Sequence, residues 1–441
     1  MKIAFALLLL AALTLPAFLH AEAVKDREGA VRSDRAAMEK NDRWIYNDVE
    51  RGFAEAARTG KPLLVALRCV PCKACMGLDA SILASDELQP LLSQFVCVRI
   101  INANTLDLSL FQFDYDLSFS TLFFNADRTL YGRYGSWRHQ KDTADTSTAG
   151  YKASLMAALA VHQGYPKNKA ALAVKQGGPA PFKVPVEIPS LAEKYGRELD
   201  WGGKVVQSCV HCHQIGDAFR ASYRKAGKPI PAELIYPMPA PETIGLTLDG
   251  GDIAKVTAVA EGSAAAAAGI RPGDDLVTVN GAPPVSIADV AWALHRSPEE
   301  GALQVTVRRA LKEEPHTITL APGWRLKSDI STRVGTWPMR GMATGGLALT
   351  ELDDTQRSAR HIPPGEMALL VKFVGQFGIH GEAKKAGFQK DDVLISVDGS
   401  SKRTTESELI GQLLLHHPAK ESVKATVLRG DQRVELMLPM Q

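Results

Sequence analysis

The sequence predicts a multidomain chain that combines α/β units with mixed α+β units. Three observations carry this expectation. The chain has 441 residues, more than one hydrophobic core supports, so about two to four domains are expected. Strand-like and helix-like segments alternate around the stretch Arg68-Cys69-Val70-Pro71-Cys72-Lys73-Ala74-Cys75-Met76. The C-terminal part of the chain runs through one pattern twice. Lys and Arg total 51 against 49 Asp and Glu, a balance that gives no electrostatic case for nucleic acid or for an anionic membrane surface.

Residues 1–23 read as a signal peptide. Lys2 gives a basic start, Ile3 to Leu15 form an apolar core, and Ala21-Glu22-Ala23 fits a small-x-small cleavage site. The expected product is a periplasmic or secreted chain with no integral membrane segment after cleavage, in a compartment where disulfides persist. An uncleaved anchor is the alternative, for which the apolar stretch is short. Residues 24–41, charged and poor in large apolar side chains, read as a flexible leader or loose helix.

Folded sequence begins at Trp44-Ile45-Tyr46. Val49, Phe53, Ala56 and Ala57 fall at helical spacing, and Thr59-Gly60-Lys61-Pro62 stops that helix. Leu63 to Leu67 is an apolar strand that runs into Cys69. Ser85 to Ser93 reads as a helix, Phe95 to Ile100 as a strand, and Thr121–Phe124 with Thr129–Tyr134 as a hairpin across Asn125–Arg128. Ala153 to His162 closes the unit as a helix. Three of the six cysteines, Cys69, Cys72 and Cys75, sit at a spacing of three residues. A strand that stops at Cys-x-x-Cys and turns into a helix suits a dithiol redox site, while the same three thiols suit a soft metal such as copper(I). Cys97, inside an apolar strand, reads as a buried small hydrophobe.

Residues 42–165 resemble the thioredoxin fold on the strength of Gly60-Lys61-Pro62-Leu63-Leu64-Val65 followed by Cys69-Val70-Pro71-Cys72-Lys73. The resemblance implies that Cys69 attacks, that Cys72 resolves, and that the unit needs no cofactor. A thiol at a helix N-terminus is favoured as thiolate by the dipole and unpaired N–H groups. Cys75 lies one turn beyond Cys72, where it suits an alternative disulfide or a third metal thiolate. Where the family has a cis-proline facing the dithiol, this chain has Ser120. A cis bond there would cost about 3 kcal/mol, so a trans bond is expected.

Residues 166–189 read as a proline- and glycine-rich linker. Leu191 to Val206 reads as a helix, followed by Cys209-Val210-His211-Cys212-His213. Cys-x-x-Cys-His is the attachment signal for c-type haem: Cys209 and Cys212 would form thioethers, and His213 would bind the iron. Pro237-Met238-Pro239 resembles the methionine loop of class I cytochromes c, which makes Met238 the candidate second axial ligand. His211 is too close to the attachment point to reach the far face of the ring. Residues 190–240 form this small helical, cytochrome c-like segment, short enough to need a neighbour to pack against.

The repeat follows. Ala268-Gly269-Ile270-Arg271-Pro272-Gly273-Asp274 leads to Asn280-Gly281, and Ala386-Gly387-Phe388-Gln389-Lys390-Asp391-Asp392 leads to Asp398-Gly399. Each copy reads as a short helix, a glycine cap, a strand, a tight turn, a helix (Ile287–His295; Glu406–His416) and a final strand. Both copies, residues 241–322 and 341–441 around a connector at 323–340, resemble PDZ domains of the type found in bacterial periplasmic proteases. That resemblance implies that protein C-termini bind as an added strand, with Thr243, Ile244, Gly245 and Leu246 as the carboxylate loop. Val290 and Leu294 would line the groove. Gly345 to Ala348, Leu409 and Leu413 are the weaker second set. Trp324 and Trp337 in the connector read as packing residues.

The combination resembles an exported bacterial family of thioredoxin-like and PDZ proteins, some of which carry selenocysteine. It implies a thiol–disulfide oxidoreductase with an attached haem, partnered by a periplasmic cytochrome or a thiol–disulfide protein. A non-enzymatic scaffold or redox sensor and a copper-handling protein are the alternatives.

Overall fold

The computed structural model describes residues 26–70, 82–117, 119–135 and 147–441. The expected signal peptide, Cys72 and Cys75 lie outside the described residues. Among the described residues no helix is long and apolar enough to cross a membrane.

Strands β1 (Trp44–Tyr46), β2 (Leu63–Arg68), β3 (Val96–Ile100), β4 (Phe119–Phe124) and β5 (Leu130–Tyr134) form one sheet in the order β1-β3-β2-β4-β5. β1, β3 and β2 run parallel, while β4 and β5 run antiparallel to their neighbours. β2 lies at the centre with all six residues buried. Side chains alternate across a strand, so Leu63, Val65 and Leu67 pack on one face with Phe53 and Ala56. Leu64 and Ala66 pack on the other, with Leu155 and Ala158. Those partners come from the helices Val49–Thr59 and Thr148–Gln163. Asp48 caps the first of them and Gly60 ends it in the left-handed region at φ 70°, where glycine carries no Cβ penalty. Buried Cys97 sits in the β3 wall of this core. The peptide bond before Ser120 is trans; among the described residues the cis bond is Tyr165–Pro166.

Three stretches differ from the sequence reading. The leader contains a regular helix, Arg27–Met38, capped by Asp26. Its charge pattern concealed a buried stripe: Val31 packs with Val70, Ile101 and Val205. The linker is folded against the sheet. Lys175 is 3% exposed, and Leu172, Val184 and Val186 are buried, because short helical turns at 169–172 and 185–187 satisfy its backbone between the prolines. The helix expected over 191–206 reduces to two single turns, Pro189–Ala192 and Val205–Ser208. The regular helix of this segment is Cys212–Lys225, which starts inside the Cys-x-x-Cys-His motif.

The two repeats have the same order of elements. The first holds β6 (Leu246–Leu248), β7 (Val256–Val259), β8 (Asp275–Val279), the helix Ile287–Arg296, β9 (Gly301–Arg309) and β10 (Lys312–Leu320). The second holds β11 (Leu347–Glu351), β12 (Leu369–Val374), β13 (Val393–Val397), the helix Glu406–His416, β14 (Ser422–Arg429) and β15 (Gln432–Pro439). A two-pronged fork recurs in both. Arg309 grips buried Asp274 with two nitrogens at 2.7 Å and donates to the Gly269 carbonyl. Arg429 does the same to Asp392 and to the Gly387 carbonyl, each at 2.8 Å.

The helix residues expected to line the peptide groove, Val290 and Leu294 in the first copy and Leu409 and Leu413 in the second, are buried. In the first, Val290 and Leu294 are fully buried in the repeat's own core with Trp324. The Thr243 and Gly245 N–H groups close a turn onto the Ala240 and Glu242 carbonyls, and the Thr243 hydroxyl pairs with Ser328 at 3.2 Å. The resemblance implied a lining role for these residues; in the structure the connector's Trp324 packs with Val290 and Leu294 in the repeat's core. In the second copy the Glu406 carboxylate accepts the Leu349 N–H of β11 at 2.7 Å and is held by Arg340. Trp337, 39% exposed, stacks on His380 at 4.4 Å.

Candidate active site at the end of strand β2

Cys69 emerges half-buried from the C-terminal end of the central strand. Its base is braced by charge. The Asp34 carboxylate accepts from Arg68 at 2.9 Å and from Arg99 at 2.8 Å, and from the Tyr46 hydroxyl at 3.0 Å. All four groups are largely withdrawn from water. Burial raises Asp34 above the usual carboxylate range even against the pull of Arg68. The Arg27–Met38 helix thereby fixes the strand end that carries the thiol. A cleft of about 570 Å³ opens beside it, lined in part by Asp34, Arg68, Val70, Leu83 and Gln89.

The sulfur of Cys69 faces a second motif. Cys69 Sγ lies 3.1 Å from His211 Nδ1 across a sequence separation of 142 residues. Buried Asn104 makes this meeting possible. Its amide donates to the Gly196 and Ser208 carbonyls and its oxygen accepts the Val210 N–H at 2.8 Å. The Ala103 N–H donates to the Val210 carbonyl. Residues 208–210 are therefore laid along the loop that leaves β3. His211 then stands at the N-terminus of the Cys212–Lys225 helix. Its N–H is received by the Gln214 side chain, which donates in turn to the Tyr195 hydroxyl at 2.7 Å.

Burial, with smaller contributions from His213 and Arg27, lowers His211 to about 4. At neutral pH it is a neutral imidazole, able either to accept the Cys69 S–H or to donate an N–H to the thiolate. The His211 and His213 rings are parallel, 5.9 Å apart. His213 Nδ1 approaches Asp217 at 3.9 Å and has no hydrogen-bond partner among the described residues.

Cys209 is 7% exposed and its sulfur points to the Ile101 carbonyl at 3.5 Å. Cys212, half-buried, packs against the thioredoxin-like core. Burial pushes both thiols up, Cys212 to about 12, and ionised Cys69 adds to both effects. Met238 stands elsewhere, buried against Ala291 and Trp292 with φ 46°. Covalent haem needs both thiols and the imidazole on one open face. As packed here Cys209 faces the core, and Met238 is taken up by the first repeat, so the residues do not fit that group without repacking. Among the described residues no group of three His, Cys, Asp or Glu side chains is arranged to hold a metal.

The structure thus brings Cys69, Cys209, His211 and Cys212 into one neighbourhood. Ile244, Leu246, Val290 and Leu294 belong to the first repeat's core, Thr243 and Gly245 are partly buried in the turn beside them, and Met238 packs on Ala291 and Trp292. Sequence spacing gave no signal for His211, since the motif draws attention to His213. Asp34 was also missed; the one available hint was a charged segment with apolar residues at helical intervals.

Comparison with known proteins agrees with this architecture. A thioredoxin-like family model matches residues 44–126, and a PDZ domain model matches residues 255–309. Among curated proteins none matches. Similar solved structures include the HtrA-type protease AlgW with decapeptide, at 13% identity and TM-score 0.20, over 32% of this chain and 45% of that one. A variant of the same protease with decapeptide gives 13% identity and TM-score 0.21 over 32% and 40%. The chain therefore spans less than half the length of these structures. It carries a thioredoxin-like domain and a PDZ domain, consistent with redox-related work beside a protein-interaction module.

Proposed function

We propose that this chain is an exported thiol–disulfide oxidoreductase in which Cys69 is the attacking thiol and the repeats recruit protein partners. One observation carries the reading: Cys69, at the end of the central strand of a thioredoxin-like sheet, has an imidazole nitrogen 3.1 Å from its sulfur. The thiolate is the nucleophile in disulfide exchange, and its fraction depends on the groups around it. His211, a neutral imidazole at this pH, supports it by donating an N–H to the sulfur anion. The thiolate attacks one sulfur of a substrate disulfide, a mixed disulfide forms, and the other substrate sulfur leaves with a proton. Cys72, by its resemblance to the family's second thiol, resolves the mixed disulfide. The PDZ domain and the second repeat, read as a second PDZ module, bring substrate C-termini near the site once the β6 or β11 edge is opened.

Insulin reduction by the full chain is the direct test. Cys69→Ser is expected to abolish it; an unchanged rate would sink the proposal. For His211, alkylation of Cys69 by iodoacetamide across a pH series gives a readout that folding alone does not move. Replacing His211 with Ala is expected to shift the Cys69 ionisation profile to higher pH, while Cys69 remains reactive at alkaline pH.

A second reading has its own observation. The first repeat docks on β5 through Asp289, which accepts the Arg133 N–H at 3.1 Å. A change at the redox site has a packed route to that repeat, as a sensor requires. Normal insulin reduction by a variant whose repeats are detached would favour the enzyme; partner binding that follows the redox state would favour the sensor.

A further inference from the structure

We propose that Cys209 and Cys212 form a second exchangeable dithiol that trades a disulfide with Cys69. This rests on Cys69 being the attacking thiol, and it gives the Cys-x-x-Cys-His segment a role other than haem attachment. Two observations place the thiols together. His211, between the two cysteines in sequence, touches Cys69 Sγ at 3.1 Å. Asn104 and Ala103 hold Ser208 and Val210 against the thioredoxin-like unit by three hydrogen bonds, so this contact belongs to the packed fold.

The burial pattern suits an internal relay. Cys209, buried against the Ile101 carbonyl, is shielded from large external disulfides, whereas Cys69 is half-buried. A dithiol with one buried sulfur is protected at that sulfur from adventitious oxidation.

The step balances without an outside electron carrier. With Cys209 and Cys212 joined as a disulfide, Cys69, its proton lost to water and its sulfur 3.1 Å from His211 Nδ1, attacks Cys209 Sγ. The Cys69–Cys209 bond forms and the Cys209–Cys212 bond breaks. The electron pair stays on Cys212, at the first position of the helix, where its own backbone N–H supports the charge. The Cys212 sulfur then takes up a proton from water, which replaces the one that Cys69 lost. One disulfide is consumed and one is made. Reversal of these steps carries the disulfide from Cys69 to the buried pair.

Disulfide mapping by mass spectrometry tests this in the full chain. Wild-type protein is equilibrated in buffers of reduced and oxidised glutathione, quenched with acid, alkylated and digested. A Cys209–Cys212 linkage is expected, together with a Cys69–Cys209 linkage. In the background Cys72→Ser, Cys75→Ser, Cys97→Ser, the further change Cys212→Ser is expected to accumulate Cys69–Cys209. Circular dichroism confirms that the variant is folded, and the wild-type mapping stands without any substitution. Absence of all three-way exchange among Cys69, Cys209 and Cys212, in wild type and variant alike, overturns the proposal. So does a pyridine haemochrome c-type band with haem mapped to Cys209 and Cys212 after co-expression with maturation machinery. Insulin reduction run beside it separates the two levels. Activity lost in Cys69→Ser with no Cys69–Cys209 linkage rejects the relay alone, and activity kept in Cys69→Ser rejects the attacking role of Cys69.

Discussion

The two repeats share a scaffold and differ in what covers their long helices. The Arg309–Asp274 and Arg429–Asp392 forks have the same partners and nearly the same distances. Ser286 caps one helix and Thr405 the other. Counted from those caps, Asp289 matches Glu408, Trp292 matches Gly411, and His295 matches Leu414. Asp289 reaches out of its repeat to Lys175 at 2.8 Å and to the Arg133 backbone, while the Arg133 guanidinium sits 3.9 Å over Trp292. Glu408 stays local and accepts the Thr405 N–H in a capping box. At Gly411 the missing side chain admits Tyr236, whose hydroxyl donates to the Ser407 carbonyl at 2.7 Å. One helix face was therefore adapted to dock on the thioredoxin-like sheet and the other to hold the segment that follows the Cys212–Lys225 helix. The scaffold residues keep the repeat folded, and the outer-face residues choose its neighbour.

The comparison breaks most sharply at Asp289. Its removal leaves Lys175 and Arg133 as charges buried at 3% and 1% exposure. Asp289→Ala should lower urea-unfolding stability by about 3–5 kcal/mol. Glu408→Ala, which loses only a cap partner, should cost about 1 kcal/mol. Equal losses would show that docking through Asp289 does not distinguish the copies.

Gly411 comes next. A Cβ there would stand 1.8 Å from the Tyr236 hydroxyl oxygen, so Gly411→Ala should destabilise by about 1–3 kcal/mol through overpacking. Tyr236→Phe removes the oxygen in the way. The double variant should lose less than the sum of the two single changes, since residues in contact are not additive. Additive losses would mean that the clash is relieved elsewhere.

The smallest effect at neutral pH belongs to His295, but it grows on acidification. Burial, reinforced by Arg325 and Arg296, depresses its imidazole to about 3. An unfolded histidine takes up its proton near pH 6.5. The unfolded state therefore binds more protons between these values, and stability falls as pH drops from about 6.5 toward 3. His295→Leu, the residue of the second copy, should flatten that slope in urea midpoints while changing the midpoint little at pH 7. His211 titrates in the same window and remains in both proteins, so the difference isolates His295. An unchanged slope would remove His295 from the contrast between the copies.

Much of the local structure was legible in the residues. The apolar run ending at Cys69, the stop at Gly60, the hairpin around Asn125 and the two glycine-capped turns all depend on neighbours within a few positions. The charged 26–38 segment and the proline-rich 166–189 segment were less legible. Their burial depends on partners far along the chain: Val31 on Ile101 and Val205, and Lys175 on Asp289. A carboxylate such as Asp34 reads as solvated until two buried arginines converge on it. The groove residues illustrate the converse. The family resemblance put Val290 and Leu294 on a groove-lining face, but whether that face stays open depended on where the connector, with Trp324, returned.

The sequence by itself determined the central strand, the cysteine spacings, the helix caps and the repeat, because each follows from backbone propensity and short-range periodicity. Tertiary structure alone decided which thiols meet which imidazole. Cys69 and His211 are 142 positions apart, and no local preference measures such a distance. The buried amide of Asn104 does so physically: its donors and acceptor must all be satisfied once water is excluded. The chain satisfies them by laying residues 208–210 on the thioredoxin-like unit. His211 is thereby carried to the sulfur of Cys69.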